Sequence, residues 1–415
     1  MRILLANWSP RRVGGTETYL ERIAPLLADA GHEIALAYEV DAPPDRPRLT
    51  LPDGVVSCSL TPADSHAGMR AVRAWAPDVI YAHGLVDPVI EAALLTVAPA
   101  VFFVHSYSGT CISGDKTHKL PLVRPCDRLF GPACLALFYP RRCGGLNPLT
   151  MTRDYVKQRR RLSLLTQYAA VLTASEHMRR ELERHGAAGG RVFKCPYPLT
   201  GLDVALDAPS LRHARSSSTP WRLAFVGRMD RLKGGAYLLD ALPLVQQRVQ
   251  SPLHLTLGGD GPARGSWQRI AARVAQANPA VRIEFPGWLQ PAGRTRLLET
   301  TDLLVMPSLW PEPFGAAGPE ANRRGVPVVA YAVGGIPEWL TDGVNGCLAP
   351  GDPPTVAGLA DAIVRCLTLL TADDRLRAGA LARAQSVDDA HVTALLNVLG
   401  TAAATRRPIQ TDVSR

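Results

Sequence analysis

Residues 302–338 read DLLVMPSLWPEPFGAAGPEANRRGVPVVAYAVGGIPE, and the fold turns on this stretch. Residues 302–306 are a short apolar run closed by Pro307, the pattern of a buried strand with a sharp end. Residues 308–318 hold too much Pro and Gly for a helix. Pro319 suits a first helical position, where its missing N–H costs nothing, and Gly325 with Pro327 supplies the stop; a short helix is predicted over 319–324. Glu320 then falls in the first turn, beside unpaired N–H groups and the positive end of the helix dipole, which keep a carboxylate ionised. Glu312 lies eight residues earlier on the loop, and Phe314, Gly315 and Ala316 between them offer backbone amides that a ligand can approach closely. Two carboxylates and a nest of amide donors are thus gathered at a strand's carboxyl end, where open α/β sheets bind ligands.

The half of the chain around this stretch repeats strand, loop and helix. Residues 223–226 read as strand, 227–235 (GRMDRLKGG) as loop and 236–249 as helix. Arg228 and Lys233 flank that turn and suit a diphosphate clamp, the guanidinium in bidentate contact and the ammonium as a point charge; the plain alternative is two exposed loop cations. Strands at 253–257 and 281–285 run into Gly-bearing turns, and helices are expected over 359–370 and 376–399. In the first half, a strand at 3–6 leads through NWSPRRVGG to a helix near Thr16, where Leu20, Ile23, Ala24 and Leu27 recur at helical spacing. Gly14 and Gly15 before this helix allow an anion close to the backbone. A later strand signal, 100–104, ends on His105.

Counting these units gives an α/β fold of two doubly wound parallel-sheet, Rossmann-like domains facing a central cleft. The first spans residues 1–200 and includes a Cys-rich segment at 106–148; a Pro- and Ser-containing connector covers 201–221; the second domain spans 222–399, and a polar tail, 400–415, is expected to be disordered. At 415 residues each domain can bury its own core. With 47% hydrophobic and 20% charged residues the composition is globular, and no apolar run approaches the ~20 residues of a membrane helix. The apolar run at the N-terminus is too short for a signal peptide, so cytoplasmic residence is expected. A net charge of +9 favours anionic partners, but the scattered Arg pairs lack interleaved stacking aromatics, so nucleic acid is not expected among them.

EPFGAAGPE at 312–320, followed by GVPVVA at 325–330 and GGIPE at 334–338, resembles the retaining glycosyltransferases of family 4, which have the GT-B fold. The resemblance spans most of residues 1–400. It implies transfer of a sugar from a nucleoside-diphosphate sugar to a glycan, lipid-linked or small-molecule acceptor by front-face attack, with no cofactor or metal required for catalysis. By the same resemblance Gly14 and Gly15, in GGTE at 14–17, belong to the donor-diphosphate loop, and His105 faces the donor sugar. Arg228 and Lys233 match G-R-x4-K-G and would hold the diphosphate, the amides of Phe314, Gly315 and Ala316 the phosphate and sugar, Glu312 the sugar hydroxyls and Glu320 the ribose. Rival classes are an epimerase or hydrolase on the same frame, which would consume donor without acceptor, and a non-catalytic nucleotide-sugar binder. A dinucleotide-dependent dehydrogenase is disfavoured, since no G-x-G-x-x-G follows the first strand.

Two segments stay open at this level. Cys111, Cys126, Cys134 and Cys143 fall within 33 residues after His105 and read either as a structural zinc site or as free thiols. No C-x-x-C pair supports the zinc reading, although some family members carry a similar insert with its first Cys six residues after the His. Residues 151–169 read as a strongly basic amphipathic helix, lying either on an anionic membrane surface, which would place the protein at the inner face of the membrane, or as a solvated crossover helix.

Overall fold

The computed structural model describes residues 1–41, 46–187, 189–198, 219–385 and 388–405. Its strands are near-continuous apolar runs, which requires both sheet faces to be covered by helices and favours parallel pairing. The first domain begins with β1 (Arg2–Asn7), α1 (Gly15–Asp29), β2 (Glu33–Tyr38), β3 (Val56–Ser59), α2 (Ser65–Trp75), β4 (Val79–Ala82), α3 (Pro88–Leu95) and β5 (Ala100–Val104). An insert follows, with a small hairpin β6 (Thr117–His118) and β7 (Arg124–Pro125), then α4 (Ala133–Phe138) and α5 (Pro148–Leu164). β8 (Ala170–Thr173), α6 (Glu176–Arg184) and β9 (Val192–Lys194) close the domain. The seven-stranded sheet runs β3-β2-β1-β4-β5-β8-β9, all parallel.

The second domain comprises β10 (Trp221–Val226), α7 (Gly235–Val249), β11 (Leu253–Gly258), α8 (Arg264–Ala277), β12 (Val281–Gly287), α9 (Pro291–Glu299), β13 (Leu303–Met306), α10 (Ala317–Asn322), β14 (Val328–Tyr331), β15 (Gly346–Ala349) and α11 (Val356–Ala372). Its six-stranded parallel sheet runs β12-β11-β10-β13-β14-β15. Strand order reverses at β1/β4 and at β10/β13, so the loops leaving β1 and β10 open at the switch points of their sheets, where α/β sheets form crevices. The expected pair of doubly wound, GT-B-type domains is the one observed.

Three boundaries differ from expectation. α10 starts at Ala317, so Pro319 is its third residue; it is still within the first turn, where no N–H has an intrahelical acceptor and proline is tolerated. The single helix expected over 376–399 is two, α12 (Arg375–Gln385) and α13 (Asp388–Ala404). α13 continues to Ala404, into the segment read as tail, because Leu395, Leu399 and Ala402 are buried where it packs on α1, β4 and β5 of the first domain. Residues 201–218 of the expected connector, and the tail from 406 on, lie outside the described residues. α5 buries Tyr155, Gln158, Arg161 and Leu164 on the first domain, where Arg161 pairs with Glu91 at 3.3 Å, so this face is that of a crossover helix. Among the described residues no helix is long and apolar enough to cross a membrane.

The two domains are joined by polar ties. Glu338, last residue of GGIPE, accepts the amides of Glu176 and His177 at 2.8 Å each, capping α6 of the opposite domain. Lys194 completes that site at 2.7 Å. Tyr107 donates to the Pro311 carbonyl at 2.8 Å, and Ser175 to that of Pro313. On α13, buried His391 meets Tyr19 Oη at 3.0 Å and Cys195 Sγ at 3.2 Å. Because α13 is part of the first domain's covering layer, Leu399→Ala is expected to destabilise the protein by about 2–5 kcal/mol in denaturant unfolding. A loosely attached terminal helix would show no change.

Candidate active site

The carboxyl ends of β1, β5, β10 and β13 face one cavity of about 410 Å³ between the domains. Gly14, Gly15, His105, Arg228, Lys233, Glu312, Phe314, Gly315, Ala316 and Glu320 all line it, so every non-cysteine candidate from the sequence is brought to one place.

Glu312 is 3% exposed, and a buried carboxylate must be met by donors. Lys233 Nζ reaches its Oε1 at 2.6 Å, Ser308 Oγ at 2.5 Å and Trp310 Nε1 at 2.8 Å. All three meet Oε1, so among the described residues Oε2 keeps its lone pairs for a ligand hydroxyl. Two glycines make this possible. Gly234, at φ +73°, ends the turn that carries Lys233 and lies so close to the Pro307 carbonyl that a Cβ would overlap it. Gly334, at φ +58°, lies against the Glu312 backbone, where a Cβ would also overlap, and the Gly335 amide donates to the Glu312 carbonyl at 2.8 Å. The second Gly loop of the opening stretch is therefore the support beneath Glu312.

Glu320 is 4% exposed, and it is held from the other side of the cleft. Arg22, on α1, donates to its Oε1 at 2.6 Å, and Arg294 lies 3.4 Å from Oε2. Burial alone would raise its pKa, but Arg22, Arg294 and Arg324 outweigh burial and hold it below the usual carboxylate range. Arg228 is exposed to the cavity and has no side-chain partner among the described residues. Arg12, Arg22, Arg228, Lys233 and Arg294 line the cavity against Glu21, Glu312 and Glu320, a formal excess of two positive charges. Sequence reading missed Arg12, Arg22 and Arg294: each is an unremarkable helix or loop arginine until the domains face each other.

Two candidates sit differently from expectation. The Gly14 amide donates to Glu17 Oε2 at 2.7 Å, within its own helix start, and is thereby committed. Asn7 and Trp8 hold the other oxygen of Glu17 at 3.1 and 2.9 Å. His105 lines the cavity with both ring nitrogens engaged, Nε2 with His83 Nδ1 at 2.9 Å and Nδ1 with the Tyr197 hydroxyl. Burial lowers its pKa to about 3, so the imidazole is neutral in the physiological range and presents no free nitrogen as a base.

The four clustered cysteines line a separate cavity of about 30 Å³ with Lys116, His118 and Arg128. Among the described residues no group of three or more His, Cys, Asp or Glu side chains is placed to hold a metal ion, so the geometry lends the zinc reading no support. Cys111 Sγ turns to Ser113 Oγ at 3.6 Å and Cys134 Sγ to the Leu129 carbonyl at 3.8 Å, and burial with neighbouring thiols pushes Cys143 up to about 12. All eight cysteines are free thiols.

Comparison with known proteins agrees with this geometry. A family model described as Glycosyltransferase Family 4 matches residues 13–196, and one described as Glycosyl transferases group 1 matches residues 220–369. A glycogen synthase of Mycobacterium tuberculosis is 26% identical over 402 residues, 88% of this chain and 85% of that protein. A D-inositol 3-phosphate glycosyltransferase of Streptomyces griseus is 36% identical over 173 residues, 39% of this chain and 35% of its own. The crystal structure of Anabaena HepE in complex with UDP and glucose superposes with a TM-score of 0.68 at 20% identity, covering 98% of this chain and 100% of that one. Sucrose-phosphate synthase from Thermosynechococcus elongatus superposes with a TM-score of 0.69 at 19% identity, covering 98% and 100%.

The His105 environment predicts a pH effect. With a folded pKa of about 3 against an ordinary 6.5, the unfolded chain takes the proton first. The corresponding stability is present above pH ~6.5 and is lost as pH falls toward ~3, at up to about 1.4 kcal/mol per pH unit. Between pH 7 and pH 5, His105→Asn is therefore expected to lose about 2 kcal/mol less stability than the unsubstituted protein in denaturant unfolding. Equal losses would show that folded His105 takes up a proton.

Proposed function

Because the chain belongs to the family 4 glycosyltransferases, we propose that it moves a glycosyl group from a nucleoside-diphosphate sugar to an acceptor hydroxyl with retention at the anomeric carbon. The single observation that carries the reading is the cavity between the sheets, where a net excess of cations faces two buried carboxylates. A diphosphate supplies the anion such a charge excess suits, and the sugar and ribose supply hydroxyls for the two buried carboxylates.

In this reading Arg228 grips the diphosphate bidentately, and Lys233 adds a point charge from beside Glu312. As the bond from sugar to diphosphate breaks, negative charge grows on the leaving oxygen, and these two cations are placed to stabilise it. Glu312 orients the sugar through Oε2. The backbone at Phe314, Gly315 and Ala316 lines the path between sugar and phosphate. Glu320 receives ribose hydroxyls beside Arg22 and Arg294. No covalent nucleophile is assigned: His105 is neutral and fully bonded, and the acceptor proton passes to the leaving phosphate oxygen. His105 and Tyr197, stacked at 5.7 Å, form an aromatic wall of the cavity, with Tyr197 packed edge-on against Phe314 at 5.2 Å.

The test is binding and turnover with UDP-, GDP-, ADP- and dTDP-sugars, with and without acceptor alcohols, reading the anomeric configuration of product by NMR. Acceptor-dependent nucleotide release with retained configuration is expected. Donor consumption at the same rate without acceptor would point to a hydrolase or epimerase, and failure to bind any nucleotide sugar would end the reading. Arg228→Ala with Lys233→Ala should lower kcat by roughly a hundredfold or more, the scale of losing transition-state charge contacts. Glu320→Ala should act mainly on donor affinity, by roughly ten- to a hundredfold, as hydroxyl bonds to a charged acceptor are lost.

A further inference from the structure

The positive charge of this protein is concentrated in one place. Residues 119–161 carry ten Lys and Arg against two Asp, so eight of the chain's net nine positive charges fall in this segment. The same segment holds half of the exposed large hydrophobic side chains found among the described residues, Leu120, Leu122, Leu129, Leu146, Leu149 and Val156. Leu122, Leu146 and Leu149 are the most exposed of that whole set, at 61%, 63% and 80%.

These residues lie on parts of the fold that touch. Lys119 N donates to the Arg141 carbonyl at 2.8 Å, Lys119 Nζ reaches the Cys143 carbonyl at 3.3 Å, and Arg141 donates to the Leu120 carbonyl at 3.5 Å. The hairpin end that carries Leu120 and Leu122 is thus held beside the loop that leads to Leu146. Asn147 caps α5 through the amide of Leu149 at 2.9 Å, which fixes Leu149 in the first helical turn. The insert already has a core of its own in Ile112, Phe138 and Tyr155, and its protruding leucines are not part of it. Free exposure of several large aliphatic side chains among cations is unfavourable in water unless a partner covers them.

We propose that this face of the insert docks on an anionic lipid bilayer. Its exposed cations, Arg128 and Arg142 among them, would sit among anionic head groups, whereas Arg161 is buried against Glu91, and Lys119 and Arg124 are paired with Asp115 and Asp352. Its leucines would enter the boundary with the acyl chains, which is the chemistry that apolar residues ringed by Lys and Arg recognise. A nucleic acid would satisfy the charge but not the leucines, since single strands are held by stacking aromatics and the exposed large hydrophobics of this segment are all aliphatic. The contact differs from an in-plane amphipathic helix: the buried face of α5 is committed to the first domain, and the contact is made by loop and hairpin residues with the first turn of α5. The insert leaves directly from β5 and His105, so docking would hold the first domain's side of the cleft near the surface. The inference does not rest on the sugar-transfer reading, because it is tested without donor.

The experiment is co-sedimentation of the full chain with vesicles of phosphatidylcholine containing phosphatidylglycerol and with vesicles of phosphatidylcholine alone. Binding only to the anionic vesicles, weakened by added salt, is expected. Arg128→Gln with Arg142→Gln should lower the partition coefficient roughly twenty-five-fold, about fivefold for each cation removed. Leu146→Ser with Leu149→Ser should lower it roughly tenfold or more. All four positions are exposed, so thermal unfolding should stay as in the unsubstituted protein. Equal binding to both vesicle types, binding to neither, or undiminished binding of both double variants would overturn the proposal. So would tighter binding of duplex DNA or RNA than of anionic vesicles, which would assign the face to nucleic acid.

Discussion

One oxygen of Glu312 accepts Lys233, Ser308 and Trp310 at once, and the architecture of the second domain's rim follows from keeping that arrangement intact. A carboxylate taken out of water is costly unless it is paired and bonded, and removing one partner of such a pair costs more than the pair contributes. Lys233 must therefore approach from β10 while Glu312 approaches from β13, two neighbouring strands whose exits diverge. Gly234 lets the first turn press against Pro307, and Gly334 lets the loop after β14 pass under Glu312. Substitution at these glycines would act on the site through the backbone, without removing any group that touches a ligand.

The cleft depends on the domains being held face to face, and few residues do this. Glu338 caps α6 of the first domain, while Arg22 of the first domain grips Glu320 of the second. α13 returns from the second domain to cover the first, with His391 joined to Tyr19 and Cys195 at its buried side. These ties are mostly polar, so each is directional and fixes an angle as well as a distance. The hydrophobic cores of the sheets supply the bulk of the stability and say little about the angle between domains.

The electrostatic character of the protein is divided between two surfaces. Outside residues 119–161 the chain is close to neutral, yet the cavity gathers two excess positive charges by bringing arginines from α1, α9 and the loop after β10 together. The insert gathers its charge by composition alone. The first is therefore a property of the fold and the second a property of a short stretch of sequence, which is why net charge by itself could point toward anions without saying where they bind.

Much was legible before any coordinates. The repeat of apolar run, Gly-bearing loop and amphipathic helix determines parallel strands with helices on both faces, because strands buried on both sides must be apolar throughout. That Arg228, Lys233, Glu312 and Glu320 would line one cavity was legible because the first three stand on loops that leave strands, beside residues with special backbone freedom, and Glu320 stands in the first turn of the helix that follows. Other features belong to tertiary structure alone. Arg22 and Arg294 look like any helical arginines until they face Glu320. His105 reads as a group facing the donor sugar, and only the fold shows that His83 and Tyr197, 22 residues before it and 92 after, take both its nitrogens. Four cysteines in a row of loops suggest a metal site until their sulfurs are seen to turn toward other partners. Local sequence settles which groups stand at the end of each strand, since backbone and burial constraints act over a few residues. Which of those groups are free to act is settled by neighbours distant in the chain, since pairing and desolvation depend on what lies within a few ångströms in space.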